Sequence, residues 1–314
     1  MSRILVTGAS GFIGRACVSL LAARGHEVHA VSSGQRPAVP GLTWHTVDLL
    51  EGDEVRRLVR AVRATHLLHL AWHPAHGDIW TTLDNEPWVI ASIRLLRAFR
   101  EAGGERAVAT GSCGEYDWEQ GLCVEDVTPL RPRTYYGACK AAVRDVWLGP
   151  RQDPGLSTAW ARIFFVYGPG EHPDRLVASV INGLLRERVV PCTHGRQIRD
   201  YLHVADVAEG LVGLLESEAT GAFNICSAEA TRIVDIVGAL GEMLRRPDLA
   251  EIGARAAAPH EPPIILGSNE KSRAAFGFGP RWSLERGLED TVHWWSAALT
   301  EPASAAGAAS TLRP

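Results

Sequence analysis

The first half of the chain alternates between two hydrophobic rhythms. Apolar runs of strand length occupy residues 4–7, 27–31, 43–47, 66–70, 107–110 and 156–164. Between them, apolar residues recur at helical spacing over 12–23, 54–63, 88–100 and 135–148. In the third of these, Trp88, Ala91, Leu95 and Phe99 form one stripe, and Gly25, Gly103-Gly104 and Gly149-Pro150 close three of the four patterns. Strand, crossover helix and strand at this spacing imply right-handed βαβ units and a parallel sheet. The pattern therefore predicts an α/β chain with a doubly wound, Rossmann-type sheet.

The second half changes character. A helix is expected over 176–186, after the Tyr167-Gly168-Pro169-Gly170 turn, then a strand at 222–226 and helices over 233–244 and 284–298. The last has Leu284, Leu288, Val292 and Trp295 on one face and Ser283 as its N-cap. Residues 254–263 read as a loop and 300–314 as a flexible tail. This divides the chain into a dinucleotide-binding unit, 1–166, to which 199–226 return, and a smaller C-terminal substrate domain, 167–299.

The first strand runs directly into Thr7-Gly8-Ala9-Ser10-Gly11-Phe12-Ile13-Gly14, which opens a helix. Glycines at this spacing let the backbone turn tightly, approach a pyrophosphate and pack helix on strand, with the helix N-terminus facing the anion. Gly8, Ser10, Gly11, Phe12, Ile13 and Gly14 are thus candidate cofactor contacts; the plain alternative is a tight structural turn. An NAD site takes its ribose hydroxyls with a carboxylate about twenty residues on. Here the second strand ends Ala30-Val31-Ser32-Ser33-Gly34-Gln35-Arg36, without one. Hydroxyls at Ser32 and Ser33 with Arg36, helped by Arg15, suit a 2′-phosphate, so the expected cofactor is NADPH, with NADH or NAD as the alternative. Asp48, after the third strand, is placed to meet the adenine.

Tyr136 and Lys140 stand at i and i+4, on one helix face. A phenol is a poor acid–base group at neutral pH until a nearby ammonium lowers its pKa. A hydroxyl to hold the substrate oxygen follows the fifth strand in Thr110-Gly111-Ser112-Cys113-Gly114-Glu115-Tyr116; Ser112 is the choice and Thr110 the alternative. Tyr135 reads as packing, and Trp72-His73 after the fourth strand as a border of the nicotinamide pocket.

Composition narrows the classes. The 314 residues are 46% hydrophobic with a net charge of −4, which fits a globular chain and offers no footprint for nucleic acid. No apolar run is long enough to span a membrane and no signal segment opens the chain, so a cytoplasmic location is expected. The six cysteines form no CxxC pair or His/Cys cluster, arguing against a metal site or a disulfide framework. Lysine occurs only at positions 140 and 271, while arginine is abundant. That bias makes Arg15 and Arg36 readable as ordinary solvated arginines, and makes Lys140 more informative.

Taken together, the glycine turn, Asp48-Leu49, His69-Leu70-Ala71, Ser112, Tyr136/Lys140, Tyr167-Gly168-Pro169 and Arg199-Asp200-Tyr201-Leu202-His203-Val204-Ala205-Asp206 resemble the extended short-chain dehydrogenase/reductases. Within them the chain is similar to the NAD-dependent epimerase/dehydratase branch, over about residues 1–298. The resemblance implies that Leu49, Leu70 and Ala71 line the cofactor, and that the C-terminal part grips a nucleotide-diphosphate sugar, dTDP being favoured. Ser112, Cys113, Phe165, Arg175, Arg199 and Arg255 are the implied substrate contacts, the two last as diphosphate-binding arginines. His203 is expected to pack or hydrogen-bond within its own motif.

The chain departs from the resemblance where dehydratases carry an Asp-Glu acid/base pair, here Cys113-Gly114, and where the sugar-binding Asn is replaced by Phe165. Gly114-Glu115-Tyr116-Asp117-Trp118 and residues 162–171 look most like nucleotide-sugar 4-ketoreductases. The expected activity is NADPH-dependent reduction of a nucleotide-linked 4-keto-6-deoxyhexose. The alternatives are a 4-epimerase with tightly held NAD and a non-catalytic dinucleotide sensor. Helices 88–100 and 135–148 carry Trp88, Ile90, Ile93, Leu95, Leu96 and Phe99, and Val143, Val146, Trp147 and Leu148. That is more apolar surface than one sheet face needs, so a homodimer through these helices is expected, as in the resembling family.

Overall fold

Seven parallel strands form the central sheet of the computed structural model, which describes residues 1–73, 78–150 and 155–300. They are β1 (Arg3–Thr7), β2 (Glu27–Ser32), β3 (Leu42–Thr46), β4 (His66–His69), β5 (Arg106–Ser112), β6 (Ser157–Ile163) and β7 (Gly221–Ile225), in the spatial order β7-β6-β5-β4-β1-β2-β3. β1 pairs with both β2 and β4, so the order reverses beside it, the crevice where open α/β sheets bind ligands. Every residue of β5 is buried, as expected of a strand covered on both faces.

The helices are α1 (Phe12–Ala23), α2 (Gly52–Val62), α3 (Glu86–Glu101), α4 (Tyr135–Leu148), α5 (Leu176–Leu185), α6 (Val204–Glu216), α7 (Ile233–Met243), α8 (Glu270–Phe276) and α9 (Leu284–Thr300). On one face of the sheet, Ile4, Val6, Cys17, Leu21, Leu211 and Leu215 join the strands to α1 and α6. On the other, Leu5, Val59, Leu67, Leu95, Phe99, Val143, Trp147 and Trp160 join them to α2, α3 and α4. A separate core of Val177, Val180, Ile181, Leu184, Ile236, Leu240 and Leu288 holds α5, α7 and α9 together. Ser283 caps α9, its hydroxyl accepting from the Arg286 amide at 3.3 Å.

Among the elements not expected from the sequence is α6, which shows water only a narrow stripe of Ala205, Glu209, Gly213 and Glu216 and so marks its period faintly. The strand Ile264–Gly267 pairs with Leu122–Cys123, far away in sequence, and α8 follows it. The surplus on α3 and α4 also shrinks: Leu95, Leu96, Phe99, Val143 and Trp147 are consumed by the chain's own core, leaving Ile90, Tyr135 and Val146 exposed. All six cysteines are buried and free. His76 and the tail 301–314 lie outside the described residues.

Candidate active site

The glycine turn is shaped by contact. Gly8 has φ +68°, and a Cβ there would lie 2.7 Å from the Ala71 amide nitrogen. A Cβ on Gly14 would collide with the Gly8 carbonyl, so α1 can sit this close to β1 only with glycine there. Gly11 is the N-cap of α1 and offers no side chain, leaving the first-turn amides to an outside acceptor. The residues present therefore fit a dinucleotide pyrophosphate. Leu70 and Ala71 extend β4 past Thr7, bonded to its carbonyl (3.1 Å) and hydroxyl (3.5 Å) respectively. Asp48 is exposed and accepts from the Leu50 amide at 2.9 Å, above the buried Leu49.

At the end of β2, Ser33 and Arg36 are exposed, while Ser32 is buried and donates its hydroxyl to the Gly34 carbonyl. Arg15 donates to the Gly170 carbonyl at 3.1 Å, tying α1 to the turn after residue 167. Burial and the nearby charge of Arg36 lower its pKa. Two guanidiniums thus repel each other beside the edge of the glycine turn.

Thr134 caps α4 by accepting from the Gly137 amide at 3.1 Å, which fixes the helix start just before Tyr136. A Cβ on Gly137 would meet the Gly114 carbonyl, so this glycine lets α4 close on the loop after β5. That approach brings the Tyr136 phenol beside Ser112. Burial pushes the Tyr136 phenol up, while the neighbouring Ser112 hydroxyl and the Arg175 charge pull it down. Thr110 points back along the strand, donating to the His69 carbonyl at 3.4 Å, so Ser112 is the hydroxyl brought to the site.

One turn along, the buried Lys140 ammonium donates to the Thr110 carbonyl at 2.9 Å and stands 3.8 Å over the Trp72 ring. Burial lowers its pKa to about 7, and the negative charge of Glu115 opposes that fall. Trp72 and Trp80 meet Tyr136 edge-on, with centroids 6.1 and 5.5 Å away.

Across the cleft, Arg199 is buried and paired with Glu261 at 2.8 Å, its guanidinium 5.7 Å from the Phe165 ring. Phe165 packs on Tyr201, and Arg175 pairs with the buried Glu171 at 3.2 Å. Arg255 is exposed, its backbone amide bonded to the Cys192 carbonyl. Cys113 is buried beside Ser112, and burial holds its thiol well above the ordinary range. His203 caps α6 and stacks on Trp282. Among the described residues no group of three His, Cys, Asp or Glu could hold a metal.

The site also contains residues that the sequence reading passed over: Glu115, Trp80 and Glu171. One signal was available. Ser112-x-x-Glu115 is the spacing of a capping box, and the structure makes both of its bonds.

The fold and this Ser–Tyr–Lys site define an enzyme of the short-chain dehydrogenase/reductase type. The family model described as the NAD dependent epimerase/dehydratase family matches residues 4–226, and the chain belongs to that family. The UDP-glucose 4-epimerase of Corynebacterium glutamicum is 27% identical, covering 97% of this chain and 98% of its own. A dTDP-6-deoxy-L-talose 4-dehydrogenase (NAD(+)) of Aggregatibacter actinomycetemcomitans is also 27% identical, covering 72% of this chain and 84% of its own. The solved structure of MoeE5 in complex with UDP-glucuronic acid and NAD superposes with a TM-score of 0.85 at 30% identity, covering 94% of this chain and 99% of that one. The likeness to the UDP-glucose 4-epimerase over nearly the whole of both chains favours the epimerase alternative over the ketoreductase expected from the sequence.

Proposed function

We propose that the protein is a nucleotide-sugar 4-epimerase that retains NAD and acts on a UDP-hexose. The observation that carries this is the assembled Ser112–Tyr136–Lys140 site followed by Cys113-Gly114, which supplies redox chemistry at a carbinol and no acid/base pair for expelling a hydroxyl. The likeness to a full-length UDP-glucose 4-epimerase and to a protein solved with UDP-glucuronic acid and NAD supports epimerisation, NAD and a uridine nucleotide.

The chemistry that a bound nicotinamide supplies there is reversible hydride exchange at C4. Tyr136 takes the proton of the C4 hydroxyl and later returns it, and Ser112 holds that oxygen. Lys140 lowers the phenol pKa and binds the nicotinamide ribose. The glycine turn holds the pyrophosphate, and Arg199 with Arg175 takes the sugar diphosphate. Inversion needs the 4-keto sugar to turn over before the hydride returns.

A second reading, NADPH-dependent reduction of a 4-keto-6-deoxyhexose nucleotide, is favoured by the carboxylate-free end of β2 and by the likeness to a 4-dehydrogenase. NMR of the protein with UDP-glucose and no added cofactor separates the two. The epimerase reading expects a mixture of C4 epimers. Unchanged UDP-glucose, with stoichiometric NADPH oxidation by a nucleotide 4-keto sugar, establishes the second. We further read 1–166 with 199–226 as the dinucleotide-binding part and 167–299 as the sugar-nucleotide part of a cytoplasmic homodimer. The exposed Ile90, Tyr135 and Val146 on α3 and α4 support that interface. No helix among the described residues is long and apolar enough to cross a membrane.

A further inference from the structure

Beneath Ser112 lies a fully buried ion pair that the mechanism above does not use. Glu115 has no exposed surface and Arg162 is 2% exposed. The Glu115 carboxylate accepts from the Ser112 amide at 2.8 Å, from the Trp160 indole at 2.9 Å and from Arg162 Nε at 2.8 Å. Arg162 also donates to the Tyr116 hydroxyl at 3.0 Å, which in turn donates to Asn224 at 2.8 Å. A Cβ on Gly111 would collide with both the Trp160 indole and the Glu115 carboxylate, so the glycine before Ser112 exists to admit this contact. The segment 110–112 is therefore gripped from two sides, its Thr110 carbonyl by the Lys140 ammonium and its Ser112 amide by the Glu115 carboxylate.

A buried ion pair replaced by apolar groups is often neutral or stabilising, so stability alone does not explain Glu115. We propose that Glu115 is a positioning residue for the catalytic site: its carboxylate clamps the Ser112 main chain, and its buried negative charge supports the Lys140 ammonium from across the segment 110–112. Both effects reach the reacting groups through a neighbour, since Glu115 touches Ser112 only at its amide. Opposite charges in a low-dielectric interior favour each other's ionised form. Arg162 and Trp160 face the carboxylate, while Trp72, Tyr136, the buried His69 and the Thr110 carbonyl face the ammonium.

The chain's composition offers a direct probe, because Lys140 and Lys271 are its two lysines. Protein labelled with ¹³C at lysine Cε gives two resonances, assigned with Lys271→Arg, and the Lys140 midpoint is read by pH titration without any substrate. Glu115→Gln keeps the shape and removes the charge, and the Lys140 midpoint should fall by about half a unit or more. Glu115→Asp keeps the charge but withdraws it from the Ser112 amide, so the midpoint should stay near that of the wild type. If Glu115→Gln does not fold, Glu115→Gln/Arg162→Gln is read against Arg162→Gln, so that only the Glu115 charge differs, and the midpoint should again fall. An unchanged Lys140 midpoint on removal of the Glu115 charge overturns the proposal. A wild type with no epimerase activity contradicts the proposed function and leaves this titration readable, so the two failures are distinguishable.

Discussion

The Lys140 ammonium stands 3.8 Å over the Trp72 ring, and Trp72 is itself fixed by a 2.7 Å bond from its indole to the buried Asn85. A desolvated cation–π contact contributes about 2 kcal/mol to the charged form. Trp72→Leu should therefore lower the Lys140 pKa further below its value of about 7. The pH above which activity declines should move down by roughly one unit. An activity–pH profile identical to that of the wild type contradicts this role for Trp72.

In the proposed reaction Tyr136 carries the proton. Tyr136→Phe should reduce turnover by about two orders of magnitude or more, the scale of general acid–base catalysis. Dinucleotide binding, held at the glycine turn, should survive. Turnover near the wild-type rate would remove Tyr136 from the mechanism.

In the same proposal the buried Arg199 takes the sugar diphosphate. Its pairing with Glu261 holds the guanidinium in place before a diphosphate arrives. Arg199→Ala should weaken UDP binding by roughly 1.5–3 kcal/mol, about tenfold to a hundredfold, and leave NAD affinity unchanged. Titration calorimetry with UDP and with NAD checks both halves of that statement.

Glu171 is buried, and its second carboxylate oxygen has no hydrogen-bond partner. Burial raises its pKa from 4.5 to about 7, against the pull of Arg175. A carboxyl harder to ionise folded than unfolded makes the protein lose stability as pH rises from 4.5 to about 7, with no further loss above. Glu171→Gln should thus match the wild type near pH 4.5 and exceed it at pH 8 by on the order of 1–3 kcal/mol. Denaturant unfolding at the two pH values checks it; a variant less stable at pH 8 contradicts it.

The boundaries of α1 and α4 were legible because their ends are written in local chemistry. Gly11 and Gly25 bracket the first, and Thr134 and Gly149 the second. α6 was not, because Val207, Leu211, Val212, Leu214 and Leu215 are all buried, and a helix covered on most sides shows only a narrow polar stripe, here Glu209 and Glu216. Ser112, Tyr136 and Lys140 could be found because their chemistry fixes residue types at fixed spacings. Glu115 could not be assigned a role that way, since its partner Arg162 is 47 residues away in sequence. Trp80 acquires meaning only when its segment folds onto α4 beside Tyr136, and Glu171 only through its burial beside Arg175. The apolar residues of α3 and α4 can be read two ways for a related reason: sequence shows that a side chain is buried, but not in which interface.

The central claim is that the site removes and returns the same hydrogen at C4 of a nucleotide sugar. Incubating the protein with UDP-glucose deuterated at C4, without added cofactor, tests it most directly. The account predicts UDP-galactose that keeps its deuterium at C4. UDP-galactose with protium at C4, or no UDP-galactose at all, would contradict it.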